Sequence, residues 1–459
     1  MDARGVRACA RAPPGSSLAL IGGMKIQLIR FRALVLMVLV ATSLLAAPAA
    51  ANAATYYVAT SGNDANPGTL EAPWRSLSVA VSRLVAGDTL YIRGGVYTGA
   101  ADAIDSQLVR IQSGLSWDTP ITVAGFPGEA VTVRPPDGSA GIRLTTGAPH
   151  HLIFQDFAID MSRQSDPGNP IVANRPEGIY VASGSHHIRF QRLDIGYCMN
   201  DCISFSTHNS TPTFTSNHEL LDSKVHHAGQ ATGDNYHGGP GINTGYGIYS
   251  FTDGNLFDGN EFYSNNAYGM NVYGSHNVIR NTKVYNNGLR GGTNFAINIG
   301  SSAFPANSAN NLVYNNLVYN NRGGGIKVYS NAENTLVFNN TVYKSGLAGI
   351  QAMYYAGGNV IRNNITYANA VNFSDDGGQA PLQVDHNLTA NPMFTDAAAG
   401  NFTPLAGSPA IDAGTFVEHV TTDVAGAARP QGSGFDIGAF EYGVGTVLTA
   451  PKNLRVMNQ

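Results

Sequence analysis

The sequence predicts an all-β protein, a single-stranded right-handed parallel β-helix (a solenoid) with an N-terminal helical cap and an irregular C-terminal cap. Three observations predict this fold: a short segment type that recurs along the chain, asparagines at matching turn positions, and a composition rich in Gly and aromatic residues. The 459 residues include 53 Gly, 21 Tyr and 19 Phe, which suits many short strands separated by tight turns.

The first 53 residues are predicted to be a leader and signal peptide rather than part of the fold. A basic stretch starts at Met24, the apolar run 34–45 follows, and Ala51-Asn52-Ala53 has the small-x-small form of a processing site. We therefore take Met24 as the true start and expect a secreted or periplasmic protein. A transmembrane anchor is the competing interpretation, but the apolar run is shorter than the roughly 20 residues that a membrane span requires.

The β-helix is predicted to occupy residues 54–389 and to begin under a helical lid. Within 73–84, apolar side chains follow helical spacing, at Leu77, Ala80, Val81 and Leu84. A lid is expected there because an uncovered first coil would present unpaired strand edges to other chains.

One segment type recurs through the middle of the chain: a small residue, an apolar residue and then alternation, at 178–181, 202–205, 247–250, 269–272, 296–299, 325–328 and 349–352. A second element, apolar-apolar-x-Asn-x-x-apolar-Tyr, lies between several of these segments, at 278–285, 312–319, 336–343 and 360–367. The period is roughly 22 to 29 residues. Because such short strands cannot bury an apolar face alone, each coil must stack on the next, with parallel strands about 4.8 Å apart.

Two columns of polar and aromatic residues accompany the repeat. Leucine-rich repeats share the period but need a Leu-rich consensus that is missing here. Asparagines recur instead, which indicates amide ladders up a β-helix; they are Asn281, Asn315, Asn339 and Asn363, with Asn316, Asn340 and Asn364 beside them. We interpret the column Tyr263, Tyr285, Tyr319, Tyr343 and Tyr367, with His226 in register, as a structural stack rather than a sugar platform.

Past residue 390 the repeat gives way to irregular sequence punctuated by Gly and Pro. We expect residues 390–443 to close the C-terminal end of the stack and 444–459 to be a flexible tail. Cys198 and Cys202 can pair in an oxidising compartment, but the bridge would close a very short loop, so free thiols are the alternative.

The charge balance excludes two classes of partner. The formal net charge is −4 and only 13% of residues are charged, so the chain has no basic field that would hold nucleic acid or an anionic membrane surface. A monomer that binds polysaccharide remains the expectation.

Both ends of the mature chain resemble known exported proteins. Residues 56–69 (YYVATSGNDANPGT) and 87–97 (GDTLYIRGGVY) resemble the opening coil of β-helix proteins of the pectate-lyase-like superfamily. Residues 391–394 (NPMF), 408–414 (SPAIDAG) and 436–441 (DIGAFE) resemble the choice-of-anchor Q region that ends many of them. The resemblance implies the fold and action on polysaccharides, but not one chemistry, because lyases, uronate epimerases and some glycoside hydrolases share such ends.

Two more specific signatures depart from the pattern. Family-nine pectate lyases resemble this chain at the start, yet their cluster of calcium-binding aspartates beside a lysine has no clear counterpart here, so the cofactor is unknown. Ca²⁺ is compatible with the fold, but no ligand cluster supports it. Alginate epimerases carry Tyr-Gly-Phe-Asp-Pro-His, whereas residues 246–251 read Tyr-Gly-Ile-Tyr-Ser-Phe, which puts epimerase activity by those residues in doubt.

One outer face of the predicted helix is the expected glycan track. In the recurring strands Ile and Val point inward, so the residues between them point outward and line one face; these are Tyr249, Asn271, Asn298, Lys327 and Gln351, flanked by Phe251, Tyr273, Tyr329 and Met353. We predict that Tyr249, Asn271, Tyr273, Asn298, Tyr329 and Gln351 bind substrate, because flat rings stack on pyranose faces and amides bond hydroxyls. Inserts at 207–218, 229–245 and 301–309 are expected to wall the groove.

Elimination chemistry needs a base for the proton beside a uronate carboxyl and a cation that neutralises that carboxylate. Lys327 is the base candidate, because it is the only lysine in the outward column and because neighbouring cations such as Arg322 would lower its pKa. Arg322 and Arg290 are the candidates for neutralisation. The alternative is that Lys327 is a solvated lysine without a chemical role.

A second candidate cluster contains His226 and His227, then Asp234, Tyr236 and His237 in the long insert. His227 and His237 are candidate catalytic residues: with tyrosine they would supply the base and acid of an elimination, and with Asp234 and Asp253 they would serve hydrolysis. The spacing matches no standard metal site. The alternative is that these histidines are ordinary turn residues.

The sequence hypothesis is thus an exported polysaccharide lyase that cleaves an acidic glycan by β-elimination. A glycoside hydrolase on the same fold is the first alternative, favoured if a carboxyl pair faces the groove. A non-catalytic glycan-binding protein is the second, favoured if the groove holds only amides and rings.

Overall fold

The computed structural model describes residues 53–164, 176–206, 217–229, 245–289, 292–301 and 308–443. The chain divides into two units, 1–52 and 53–459, and only the second contains described residues. The predicted signal peptide and the predicted tail therefore lie outside the described residues. No helix in the described ranges is long and apolar enough to span a membrane.

Three parallel sheets run the length of the β-helix, and most coils contribute one strand to each. Sheet A has twelve strands: Thr55–Val58, Thr89–Ile92, Ile121–Gly125, His150–Gln155, His186–Gln191, Glu219–Leu221, Leu256–Asp258, Val278–Arg280, Leu312–Tyr314, Leu336–Phe338, Val360–Arg362 and Gln383–Asp385. Sheet B has ten: Gly95–Tyr97, Val131–Val133, Ala158–Asp160, Asp194–Gly196, Lys224–His226, Glu261–Tyr263, Lys283–Tyr285, Leu317–Tyr319, Thr341–Tyr343 and Ile365–Tyr367. Sheet C also has ten: Ile104–Asp105, Ile142–Leu144, Ile179–Val181, Ile203–Phe205, Ile248–Ser250, Met270–Val272, Phe295–Ile299, Gly324–Tyr329, Ala348–Met353 and Val371–Asp375.

This arrangement confirms the predicted right-handed parallel β-helix. Two minor sheets complete it: Ser308–Ala309 pairs in parallel with Ala332–Glu333, and Phe394–Asp396 pairs antiparallel with Asn401–Pro404. The second sequence element, expected as one piece, is two strands in different sheets. Asn281 separates Val278–Arg280 from Lys283–Tyr285 at a φ of 51°.

The N-terminal end is capped by the α-helix Leu77–Arg83, followed later by the short 3₁₀ helix Ala100–Asp102. Leu77, Ala80, Val81 and Leu84 are buried in the main core with Trp74. The spacing of apolar residues at i, i+3, i+4 and i+7 places them on the face of the helix that covers the first coil.

The small residue in each repeat lies where the chain enters sheet C. A Cβ on Gly269 would lie 2.5 Å from Val284 Cγ1, and one on Gly325 would lie 2.4 Å from Val342 Cγ1. Both contacts are shorter than any side chain tolerates, because the interior at this corner is already filled by sheet B. Glycine is therefore needed here for space rather than for an unusual φ.

Asparagine side chains form the predicted ladder at the turn between sheets A and B. The Nδ2 group of Asn316 donates to Oδ1 of Asn340 at 2.9 Å, and Nδ2 of Asn340 donates to Oδ1 of Asn364 at 2.9 Å. Each Oδ1 also accepts the backbone N–H of the asparagine one coil earlier. All three side chains are buried, so the ladder satisfies polar groups that would otherwise be costly inside the core.

The neighbouring asparagines have a second role beside the predicted ladder, in which Asn363 Nδ2 donates to Asn339 Oδ1 at 3.4 Å. Asn315 donates to the carbonyl of Thr422, Asn339 to that of Asp436, and Asn363 to that of Thr415. They therefore attach the C-terminal region to the side of the stack. Each has a φ between 50° and 57°, which asparagine adopts more readily than most residues.

The C-terminal region is irregular, as predicted, but it packs along the flank of the last coils. Phe402 and Ala439 pack with Leu317 of sheet B, and Val417 and Val420 pack with Tyr314 of sheet A. Arg429 and Glu441 form a buried ion pair within it.

The end of the stack itself stays partly uncovered. Val384 continues the inward column of Ile361 yet is 41% exposed. A cavity of about 310 Å³ opens beside Ile350 and Phe373.

Two further expectations are settled by the structure. Cys198 and Cys202 form a disulfide with a Cα–Cα distance of 5.3 Å. The tyrosine column is a stack: the rings of Tyr263 and Tyr285 have centroids 5.3 Å apart, and those of Tyr285 and Tyr319 are 5.0 Å apart. Phe402 covers Tyr319 and Tyr343, so the lower part of this column is not a free sugar platform.

Candidate functional site

The predicted outward column exists on sheet C. Tyr249 pairs in register with Asn271, Asn271 with Asn298, Asn298 with Lys327, and Lys327 with Gln351. The inward residues beside them, Ile248, Met270, Ile297, Ile326 and Ile350, are fully buried. Side chains from coils more than a hundred residues apart in sequence thus share one face.

Two members of the column are far less accessible than expected. Asn271 is 1% exposed and Asn298 is 3% exposed. Asn298 Nδ2 donates to Asn271 Oδ1 at 2.8 Å and to the Gly300 carbonyl at 2.9 Å, while Asn271 Nδ2 donates to the Tyr273 hydroxyl at 3.2 Å. These two buried amides therefore support the strands rather than face solvent. The half-exposed members of the predicted binding set are Tyr249, Tyr273, Tyr329 and Gln351.

Aromatic rings cluster at the middle coils of this face. Tyr249 lies 5.0 Å from Tyr246, 4.2 Å from Phe251 and 5.3 Å from Tyr273 between ring centroids. Tyr268 lies 5.3 Å from Tyr246 in the same way. Burial raises the pKa of Tyr268 to about 12, so its phenol remains protonated and can donate to a ligand oxygen.

Lys327 lies between two aromatic rings. Its Nζ is 4.0 Å from the ring centre of Tyr329 and 5.3 Å from that of Phe295. Burial lowers the pKa of this ammonium, and the Asp376 carboxylate partly opposes the shift. The direction agrees with a base, but its cause is loss of water rather than the neighbouring cations expected from the sequence.

The arginines expected to assist Lys327 are placed differently or lie outside the description. Arg322 is exposed in the turn before sheet C, and its Nη1 donates to the Leu289 carbonyl at 2.6 Å. Its guanidinium is therefore held by that turn. Arg290 lies outside the described residues, so its neutralising role stays a prediction.

The histidine cluster belongs to another face. His226 ends a strand of sheet B, with Nε2 2.8 Å from Asp194 Oδ1 and Nδ1 2.7 Å from His227 Nδ1. The structure therefore does not bring His227 together with Lys327 on sheet C. His237, Asp234 and Tyr236 lie outside the described residues.

Contacts within this cluster shift the pKa values of two of its members. His226 holds the pKa of Asp194 below its usual range, so the carboxylate accepts from His226 Nε2–H. Burial and the neighbouring His226 lower the pKa of the His227 imidazole. Gly196 makes the arrangement sterically feasible, because a Cβ there would lie 2.2 Å from the His226 ring.

Four further histidines stack on sheet A. His150 lies over His186 and His151 over His187, with centroids 4.7 and 4.8 Å apart. Burial and the other three imidazoles lower the pKa of His151 to about 4. Trp117 contacts this stack, 5.3 Å from His151.

Sequence reasoning missed a carboxyl pair on the same face as Lys327. Glu177 and Asp201 each lie two residues before the inward isoleucine of neighbouring sheet C strands, Ile179 and Ile203. Burial raises the pKa of both carboxyls to about 7, and the Glu177 charge contributes to the shift at Asp201. The sequence did contain a signal for this pair, because both acids occupy the same repeat position in consecutive coils.

Asp201 is tied to the aromatic cluster, since its Oδ1 accepts from the Tyr246 backbone N–H at 2.9 Å. Four coil steps separate its strand from that of Lys327. At about 4.8 Å for each step, the distance is roughly 19 Å. The acid pair and the lysine therefore cannot act on one glycosidic bond.

The described part of the chain does not fit a calcium site. No group of three or more His, Cys, Asp or Glu side chains within it is arranged to hold a metal ion. Glu177 and Asp201 supply only two carboxyls on the face of sheet C.

Comparison with known proteins places the chain in a family. Residues 56–375 match the family described as "Pel9A-like, right handed beta helix region". The chain belongs to this Pel9A-like β-helix family. The match ends before the C-terminal region, whose resemblance to the choice-of-anchor Q region stays a prediction.

Individual relatives of this Pel9A-like protein are distant. A pectate lyase, PEL9, of Emericella nidulans (strain FGSC A4) is 33% identical over 81 residues, which is 18% of each chain. The crystal structure of pectate lyase Pel9A is 19% identical with a TM-score of 0.54, covering 84% of this chain and 96% of that one. A rhamnogalacturonan lyase structure is 17% identical with a TM-score of 0.49, covering 74% and 90%. At 19% identity the likeness to Pel9A shows the fold alone.

Proposed function

We propose that this protein is an exported polysaccharide lyase that cleaves an acidic glycan by β-elimination on the outer face of sheet C. The observation that carries the proposal is Lys327, a lysine whose pKa is lowered by burial between Phe295 and Tyr329. It stands in an in-register row of polar and aromatic residues on a Pel9A-like scaffold. A desolvated lysine on an extended face is suited to proton abstraction from a polymer.

The reaction needs few groups. Neutral Lys327 Nζ removes the proton on the carbon next to the uronate carboxyl, and the electron pair forms a double bond as the glycosidic C–O bond breaks. The departing oxygen takes a proton from water or a neighbouring phenol. Arg290 and Arg322 are the proposed partners of the carboxylate, whose charge grows as the enolate forms.

Binding is proposed to come from the half-exposed rings on each side of the lysine. Tyr249 and Tyr273 lie on the coils before it, and Tyr329 and Gln351 lie beside and after it. Rings at this spacing offer flat apolar surfaces to pyranose faces, while their hydroxyls provide hydrogen bonds. The buried amides of Asn271 and Asn298 would act by holding Tyr273 and the strand in place.

The test is an assay of purified protein on pectate, alginate, glycosaminoglycans and neutral glycans, with CaCl₂ or with EDTA. Absorbance of unsaturated products and new reducing ends would be followed together. Equal appearance of both is expected for a lyase. Silence on every glycan that binds would replace the lyase with a non-catalytic glycan-binding protein.

Glycoside hydrolysis is the second candidate, and the Glu177 and Asp201 pair specifically favours it. Two carboxyls with pKa values near 7 can include one protonated acid and one ionised base at neutral pH. Reducing ends without unsaturated products, lost in Glu177→Gln and Asp201→Asn but retained in Lys327→Gln, would establish hydrolysis at this pair.

A further inference from the structure

The charges along sheet C are unusual for a face that is to hold a polyanion. Each coil presents three outward positions: two residues before the inward isoleucine, one after it and three after it. From the coil of Ile179 to that of Phe373, Lys327 is the only cation at these positions among the described residues. The acids at the same positions are Glu177, Asp201 and Asp376.

The cation at the start of the face is already compensated. Arg143, one coil before Tyr180, lies 3.5 Å from the Asp105 carboxylate. Asp376 accepts from Gln351 Nε2 on the coil after Lys327. An extra carboxylate next to Lys327 on that side would face an existing negative charge.

The inserts beside the face add little positive charge. By sequence, residues 207–216, 230–244 and 302–307 contain neither Lys nor Arg, and 290–291 contains only Arg290. The segment 165–175, directly before Glu177, contains only Arg175. Composition therefore limits these inserts to two additional cations, Arg175 and Arg290, wherever their side chains lie.

A coil advances by about 4.8 Å, which is close to the length of one sugar residue in an extended glycan. A continuous polyuronate laid along the face would place a carboxylate on almost every coil. Beside the half-buried rings of Tyr249, Tyr268 and Tyr273 these carboxylates would lose water without gaining a cation, which is strongly unfavourable. Elimination itself needs only one uronate carboxylate in the glycan, on the sugar from which the proton is removed.

We propose, resting on the lyase function above, that the substrate is a heteropolysaccharide in which a uronate at Lys327 is flanked by neutral sugars. The coils of Tyr249, Asn271 and Asn298 hold the neutral residues on one side, and the coil of Gln351 holds a neutral residue on the other. The face discriminates against continuous polyuronates through the carboxylates of Glu177, Asp201 and Asp376.

The test measures binding separately from cleavage. Isothermal titration at pH 8 would compare homouronate oligosaccharides with oligosaccharides of equal length that carry one internal uronate between neutral sugars. At least tenfold tighter binding of the second set is expected. Tighter binding of homouronates, or binding of neither set, would overturn the proposal whatever is cleaved. The stated preference without unsaturated products would instead overturn only the lyase function.

A charge-altered variant sharpens the test. Gln351→Lys with Asp376→Asn adds two positive charges next to Lys327 and should reduce the preference several-fold by improving homouronate binding. Gln383→Lys with Asp396→Asn makes the same change at exposed positions of sheet A and the C-terminal hairpin, and should leave the preference unchanged. An equal effect of both variants would show that net charge, not the face, sets the preference.

Discussion

Asn340 and Asn364, 24 residues apart in sequence, are joined by a 2.9 Å hydrogen bond from Nδ2 of the first to Oδ1 of the second. Asn340 also donates to the Val313 carbonyl and accepts from both the backbone N–H and Nδ2 of Asn316. One buried amide thus connects three consecutive coils.

Replacing Asn340 by Ala should lower the free energy of unfolding by about 2–4 kcal/mol, because the variant leaves buried donors of Asn316 without partners. Urea denaturation followed by circular dichroism measures the change. Asn401→Ala, at an exposed position whose amide accepts only from Thr403, should shift it by less than about 0.5 kcal/mol. Similar losses in the two variants would mean that the ladder adds no stability.

Lys327→Gln should reduce the elimination rate by about 10²–10⁴-fold, the usual contribution of a general base, while glycan binding is retained. In the wild-type protein the rate should rise with pH along a limb below the ordinary lysine pKa, because burial lowers the pKa of Lys327. Phe295→Ala admits water and should move that limb to higher pH. Lys283→Gln, on sheet B, is the control. An unchanged rate in Lys327→Gln would rule out this base.

The carboxyl pair predicts a loss of stability with rising pH. Asp201 has a folded pKa of about 7, above its unfolded value, so its contribution is full below about pH 4 and is lost as pH rises through 7. For each carboxyl that keeps its proton only in the folded state, the free energy of unfolding falls by up to about 1.4 kcal/mol per pH unit. Asp201→Asn should flatten the unfolding free energy between pH 4 and 7, measured by urea titration at each pH. A slope identical to the wild type would show that this carboxyl is not buried in its protonated form.

The histidine stack predicts the opposite dependence. The pKa of His151 is lowered to about 4, so its contribution is present above about pH 6.5 and is lost as pH falls toward 4. The double variant His151→Asn/His187→Asn should lose less stability over that range, and Trp117 fluorescence should report the acid transition in the wild type. His386→Asn is a matched control, because His386 also has a φ of 51° but is exposed. If the control responds as the double variant does, the stack is not the cause.

The sequence was sufficient to predict the solenoid and the shared register of Tyr249, Lys327 and Gln351, because inward Ile and Val repeat at one position of every coil. It could not predict how deeply each outward residue is covered. Asn271 and Asn298 occupy outward positions, yet Tyr273 and the adjoining backbone take up their hydrogen bonds. The exposed fraction of an outward side chain depends on neighbouring residues from other coils, and the period of the sequence repeat does not reveal these neighbours.

The catalytic candidates were harder to predict for the same reason. His227 and Lys327 are both polar residues of the repeat, but His227 directly follows a strand of sheet B, whereas Lys327 lies in a strand of sheet C. Glu177 and Asp201 were overlooked because each resembles an ordinary loop acid in sequence, and only the stacking of their strands brings them onto neighbouring coils. The direction of the Lys327 pKa shift was predicted correctly, whereas its cause, burial beside rings such as that of Phe295 one coil earlier, depends on the three-dimensional packing of the coils.

The partial exposure of Val384 has a consequence for how a β-helix of this kind can gain coils. Val384 lies in register with Ile361 on the coil before it. One more coil of similar length, placed after Val384, would therefore pair with its strand and would bury apolar surface that now meets water. Lengthening at this position requires no rearrangement of the coils before it, so duplication of a single coil there can extend the outer face of sheet C by one sugar-sized step at a time.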